Sequence, residues 1–185
     1  FVTVGGPVVI KACSAEVPHK SEFGLVALGV QNADVAATIF ESQRKKLAEM
    51  KVGHEGIIVA AMSRGRHECM VGARFDPVFG PVVMIGAGGK YVEALKDYAV
   101  LLPPFNVQQV EIALRGLRMA PLLDGVRGDA PMDVQAFAQI AVSVGRLVLS
   151  AGPSIASLDL NPVMVGAVGE GAVVVDALLE RGDQA

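Results

Sequence analysis

Leu158-Asp159-Leu160-Asn161-Pro162 and, fourteen residues beyond Pro162, Asp176 decide how this chain is read. Asp159 follows the apolar run Ser154-Ile155-Ala156-Ser157-Leu158, and Asp176 follows Ala172-Val173-Val174-Val175. Between them lies Val165-Gly166-Ala167-Val168-Gly169-Glu170-Gly171, rich in turn residues. The pattern predicts a terminal β-hairpin. Asp159 and Asn161, two apart on one strand, would share a face. Asp159, Asn161 and Asp176 would then bring hard oxygen ligands together, as a Mg²⁺-nucleotide site needs. The bland alternative is Asx residues that cap a hairpin.

Working outward, composition narrows the class. The 185 residues make one ordinary domain or two small lobes. Hydrophobic residues make up 52%, which argues against disorder, and aromatics only 5%, so the core must be aliphatic. No uninterrupted apolar stretch approaches the roughly 20 residues that cross a bilayer, and no signal-peptide pattern is present. Net charge is −3 and the densest cationic run is Arg44-Lys45-Lys46, a solvated helix face, so nucleic acid is a poor partner. Cys13 and Cys69 lack metal spacing and read as small buried thiols in a reducing cytoplasm. The chain begins at Phe1 and runs almost directly into a strand, the expectation for a fragment of a larger polypeptide.

The pattern predicts strands at Val8 to Ala12, Leu25 to Val30, Gly56 to Met62, His67 to Phe75 and Pro81 to Gly86. A helix is expected from Ala33 to Met50, capped by Asn32, with Val35, Ile39, Leu47 and Met50 on its apolar face. Asn106-Val107-Gln108-Gln109 reads as a capping box opening a second helix, and a third is expected near Asp133 to Ser150. Hairpins mixed with helices favour α+β over a doubly wound sheet.

Other residues could carry chemistry. Lys11 ends an apolar strand, where its ammonium would meet an anion such as a nucleotide phosphate, or snorkel to the surface. Gly88 and Gly89 could offer backbone N–H groups to phosphates, or simply turn the chain; the spacing is not that of a P-loop. His19, in a Pro-containing loop, could accept and pass on a phosphoryl group, or be a surface histidine. Glu68 could accept ribose hydroxyls or face solvent, and Arg127, between loop glycines, could clamp a phosphate or make a salt bridge. Asp97 and Asp124 also lie in loop-like stretches.

Several segments, in order, resemble one family. They are Pro7-Val8-Val9-Ile10-Lys11, Pro18-His19-Lys20-Ser21, the run from Val71 to Met84 containing Phe75-Asp76-Pro77-Val78-Phe79-Gly80-Pro81, Gly88-Gly89-Lys90-Tyr91-Val92-Glu93-Ala94-Leu95-Lys96-Asp97, Leu122-Leu123-Asp124-Gly125-Val126-Arg127-Gly128, and Leu158-Asp159-Leu160-Asn161-Pro162. Together they resemble the ATP-grasp domain of nucleoside-diphosphate-forming acyl-CoA synthetases, relatives of the succinyl-CoA synthetase β subunit. The resemblance implies an α+β ATP-grasp fold with nucleotide between two lobes, residues 1–62 and 63–185, the first incomplete at its N-terminus. It implies that Lys11 touches ATP phosphates, that Glu68 lies near the ribose, and that Asn161 and Asp176 ligate Mg²⁺ with Asp159 beside them. Met62 would sit at the nucleotide hinge, and His19 would carry phosphate between sites. ATP or GTP and Mg²⁺ are the implied cofactors. CoA would bind a partner domain or subunit, a carboxylic acid would be the substrate, and the full-length protein would be an oligomer. The implied activity is an acid–thiol ligase forming ADP. The alternative is a regulatory ATP-grasp-like module of a protein acetyltransferase.

Three departures from the family stand out. The hinge reads Val59-Ala60-Ala61-Met62 where the family often has Val-Gln-Pro-Met. The loop has Gly24-Leu25 where two glycines are usual, and the helical stretch that normally precedes the lysine strand is missing.

Overall fold

A computed structural model describes residues 3–17, 20–63, 65–89 and 92–182. The chain divides into two compact units, Phe1–Met62 and Ser63–Ala185, each described here by itself.

The first unit is a three-stranded antiparallel sheet, ordered β2-β1-β3, with one helix against it. Strand β1 spans Val8–Cys13, β2 Val26–Val30 and β3 Gly56–Ala61. Val8, Ile10 and Ala12 are buried while Val9, Lys11 and Cys13 are half-buried, the alternation of a strand with one covered face. Lys11 therefore sits within the strand rather than at its end, paired with Ile58 on one side and Val26 on the other. It lies on the face that does not carry Val8, Ile10 and Ala12.

Helix α1, Ala33–Met50, begins where Asn32 accepts hydrogen bonds from the N–H groups of Asp34 (2.7 Å) and Val35 (3.3 Å). That satisfies two donors the helix itself cannot. Its buried residues are Ala36, Gln43 and Leu47; Val35, expected on the apolar face, is exposed. Ile39, Leu47 and Met50 do pack inward as expected; Ala36 takes the place of Val35, and the stripe contains an amide. Gln43 makes up for this in part, donating from Nε2 to the Ile10 carbonyl at 3.2 Å.

The second unit is a six-stranded antiparallel sheet with helices on one face. Strands β4 (His67–Asp76) and β5 (Gly80–Ala87) form a hairpin, and β6 (Tyr98–Leu101) continues the sheet beyond β5. On the other side of β4 lies β7, Ile155–Val165. Strands β8 (Ala172–Val174) and β9 (Leu178–Arg181) both pair with β7. The expected hairpin therefore exists, but its return arm is two strands, and Asp159 and Asn161 lie inside a long strand rather than at the end of a short one.

Helix α2 is a single turn, Val92–Leu95, after the glycine segment. Helix α3, Val107–Arg115, opens with the capping box of Asn106 and Gln109. Helix α4 is Ala120–Leu123, and α5 is Val134–Ala151, capped by Asp133. Phe137, Ala138, Ala141, Val144 and Val148 of α5 and Val110 and Leu114 of α3 join Cys69, Val71, Val83, Ile85, Leu158, Leu160 and Val163 in one core. Burying a side chain such as Phe137, with no exposed surface, is worth about 1.5–3 kcal/mol. By length and composition α5 could span a bilayer, but its apolar stripe packs on the sheet, as a core helix does.

Candidate functional site

The helices cover one face of the second sheet, so the polar candidates lie on the other. On β7, Leu158, Leu160, Val163 and Val165 are buried, whereas Asp159 is exposed and Asn161 half-buried. The core phase advances by three residues, not two, between Leu160 and Val163. A bulge produces this: Val71 pairs with Leu160 and Cys69 with Val163, so Met70 alone opposes Asn161 and Pro162. Pro162 has no N–H to give a ladder, and bulges are where strand prolines are tolerated.

Register brings Asp176 to the same place. Val174 pairs with Val163 and Leu178 with Asp159, so three residues on the outer path face Leu160, Asn161 and Pro162. The N–H of Val175 donates to the Pro162 carbonyl at 3.2 Å. Continuing that register sets Asp176 level with Asn161 in the gap between the two outer strands. Asp159 faces Gly72 on its other side, and Gly72 is flanked by the Met70 and Met84 side chains (3.9 Å from a Cβ built there). The floor beside the two carboxylates is glycine and methionine.

Glu68 and the glycine pair close this cluster from the β4–β5 side. The N–H of Gly88 donates to the Glu68 carbonyl at 2.8 Å, and the N–H of Gly89 donates to Asn161 Oδ1 at 2.8 Å. Gly89 has φ +79°, and a Cβ there would run into the Glu68 carboxylate. Both N–H groups expected to face phosphate are thus engaged within the protein. The structure brings Glu68, Gly88, Gly89 and Asn161 together, and strand register places Asp159 and Asp176 beside Asn161.

Arg127 is not joined to them. It is exposed at φ 53°, and the contacts of its loop lead to the far end of β7: Met132 bridges Ala167, and Asp129 lies 4.0 Å from Arg66. Asp97 and Asp124 serve structure. Asp97 accepts from the N–H groups of Arg118 and Met119, each at 2.8 Å, and Asp124 pairs with Arg115 at 3.1 Å. Lys11 and Met62 belong to the first unit, where the Met62 N–H donates to the Pro7 carbonyl at 3.1 Å. His19 lies outside the described residues, as does Lys90 after the glycines. Sequence reasoning missed Asp133. One carboxylate oxygen accepts from the Ala136 N–H at 3.1 Å, and the other from Gly169 (2.9 Å) and Gly171 (3.0 Å), tying α5 to the turn before β8. An Asx directly before a helical pattern was the signal; its second partner, 36 residues on, left none.

The donor set suits Mg²⁺, which takes hard oxygens, usually one or two carboxylates, and leaves the rest to phosphate and water. Among the described residues no group of three or more His, Cys, Asp or Glu is arranged to hold a metal, so a dedicated all-protein cage is not what the site offers.

Residues 1–180 match the ATP-grasp domain. The chain belongs to the ATP-grasp family. The α+β architecture of an ATP-grasp domain is likewise seen in solved relatives, of which this chain represents part. A trans-feruloyl-CoA synthase from an unknown prokaryotic organism is 37% identical over 178 residues, 95% of this chain but 25% of that protein's length. The β subunit of ADP-forming acetate–CoA ligase I from Pyrococcus furiosus is 35% identical over 176 residues, 94% of this chain and 75% of the relative. Among solved structures, the dinucleotide-forming acetyl-coenzyme A synthetase 1 of Ca. Korarchaeum cryptofilum, in complex with coenzyme A and Ca-AMPCP, superimposes with a TM-score of 0.87. Identity is 31%, over 97% of this chain and 79% of that one. The same protein has been captured with Mg-AMPPCP and its phosphohistidine segment pointing towards the nucleotide site, at a TM-score of 0.82.

Proposed function

We propose that this ATP-grasp domain is the nucleotide-binding part of an ADP-forming acyl-CoA synthetase, which converts acid, CoA and ATP to acyl-CoA, ADP and phosphate. The observation that supports the reading is the register of the outer edge of β7, which sets Asp176 level with Asn161, two residues from Asp159, beside the β7 bulge. The names of the relatives support it: they are ligases and synthases that join acids to CoA. They give no support to an acetyltransferase regulator.

In this reading Asn161 and Asp176 hold Mg²⁺ with Asp159 alongside; the ion, when bound, spreads the charge of the polyphosphate. The Lys11 ammonium neutralises phosphate oxygens, and the Glu68 carboxylate accepts ribose hydroxyls of ATP or GTP. Met62 borders the base. Arg127 holds a phosphate or carboxylate that arrives at the hairpin tip. His19 accepts the phosphoryl group on a ring nitrogen and passes it on. Here the resemblance, together with the phosphohistidine segment of the Korarchaeum protein, is the support. CoA and the acid bind beyond this domain, in keeping with relatives four times its span.

Positioning and electrostatics carry most of such a reaction, so loss of a metal ligand or of Lys11 should cost several kcal/mol of barrier. The test is ADP formation by the full-length protein bearing Lys11→Ala, Asn161→Ala or Asp176→Ala. Falls of about 100-fold or more are expected. Turnover near wild type in all three would refute the reading.

A further inference from the structure

We propose that Gly89 is the positioning residue for Asn161, and that the glycine pair serves the metal ligand rather than cradling phosphate. This rests on the reading of Asn161 as a ligand.

Asn161 stands at the β7 bulge, where the ladder to β4 slips by one residue. Regular pairing therefore does not fix where its side chain points. A carboxamide has two orientations related by a half-turn, one presenting oxygen and the other an NH₂ group that cannot bind a cation. The Gly89 N–H, 72 residues away in sequence, donates to Oδ1 at 2.8 Å and so is compatible with only the first. It occupies one of the two lone pairs on that oxygen and leaves the other for a cation.

The supporting geometry is specific to glycine at both positions. Gly89 needs φ +79°, and a methyl group there would meet the Glu68 carboxylate, 3.0 Å from its Cδ. A methyl at Gly88 would run into the Cys69 backbone, whose Cα lies 2.8 Å from a Cβ built there. The Gly88 N–H is already given to the Glu68 carbonyl at 2.8 Å. Strand β4 thus fixes Gly88, Gly88 fixes Gly89, and Gly89 selects the oxygen of Asn161.

The test uses full-length protein and Mn²⁺ as the probe, with binding read by electron paramagnetic resonance in the presence of a non-hydrolysable ATP analogue. Gly89→Ala should weaken Mn²⁺ binding by about 10- to 100-fold, as loss of an outer-shell partner does. The affinity for inorganic triphosphate alone, in chelator, should stay unchanged, because that probe has no ribose to meet the displaced Glu68 carboxylate. A fall in metal-free triphosphate affinity would overturn the proposal in favour of a phosphate cradle. Amide hydrogen exchange supplies a check that does not need the glycine replaced: the Gly89 N–H should be protected in wild type and exchange about tenfold faster in Asn161→Leu. Equal exchange would sink it. If Asn161→Leu loses Mn²⁺ and Gly89→Ala does not, this inference fails and the functional reading stands. If Asn161→Leu itself binds Mn²⁺ as wild type does, Asn161 is no ligand and both fail.

Discussion

Asp176 stands opposite Asn161 because the chain on the outer edge of β7 keeps one register through its interruption, pairing Val174 with Val163 before it and Leu178 with Asp159 after it. Neither residue is in a regular ladder at that point. Asn161 sits at a bulge and Asp176 in the gap between β8 and β9. Replacing Asp176 with Asn keeps the shape and removes one charge. The expected outcome is a Mg²⁺ requirement raised by about 10- to 100-fold, measured as the Mg²⁺ dependence of ATP turnover by the full-length protein. An unchanged requirement would remove Asp176 from the metal site.

Asp133 makes an acid-sensitive joint. The hydrogen bond from the Ala136 N–H above all, helped by those of Gly171 and Gly169, holds its carboxyl below the ordinary range against the opposing effect of burial. A depressed folded-state value stabilises the protein above the unfolded value near 3.9, and that contribution is lost as pH falls through the folded value. The protection factors of the Gly169 and Gly171 amides, with exchange corrected for its intrinsic pH dependence, should therefore fall below about pH 4. Asp133→Ala, which removes the cap and the turn contacts together, should cost about 1–3 kcal/mol in urea unfolding.

The two thiols should differ in reactivity. Burial pushes the Cys69 thiol up to about 12, whereas Cys13 is only half-buried. The thiolate is the reactive form. A thiol reagent at pH 8 should label Cys13 first and reach Cys69 only when the second unit unfolds, with peptide mapping as the readout. Prompt native-state labelling of Cys69 would show that its surroundings open readily.

Gln43 and Leu47, one turn apart on the buried side of α1, should respond very differently to substitution. Leu47 is fully buried, so Leu47→Ala should cost about 2–5 kcal/mol. Gln43 donates to Ile10, but among the described residues its Oε1 has no partner. Gln43→Met loses one hydrogen bond and also removes an unsatisfied buried oxygen, so the net change should stay within about 1.5 kcal/mol. Thermal unfolding of the two variants decides it.

Much of the fold was legible because its signals are local. Asn32, the Asn106–Gln109 box and the periodicity of Val134 to Ala151 announce three helices, and alternation or apolar runs announce β1 to β5. Strand β6 was missed because Tyr-Ala-Val-Leu is too short to show a period and runs into prolines. Strand β9 was missed because Leu-Leu-Glu-Arg earns its pairing only through β7. In the site, the spacing of Asp159 and Asn161 announced a shared face, but the bond from Gly89 to Asn161 spans 72 residues and has no local trace. The β7 bulge is a two-strand property, invisible in either strand alone.

The three residues between β8 and β9 have a fixed length. A single insertion among Val175, Asp176 and Ala177 would turn every side chain of Leu178–Arg181 to the opposite side of the sheet. Ser157 would lose the Glu180 carboxylate it now meets at 2.6 Å. The spacer acts as a ruler: a homologue that changes its length by one must rewrite the strand that follows.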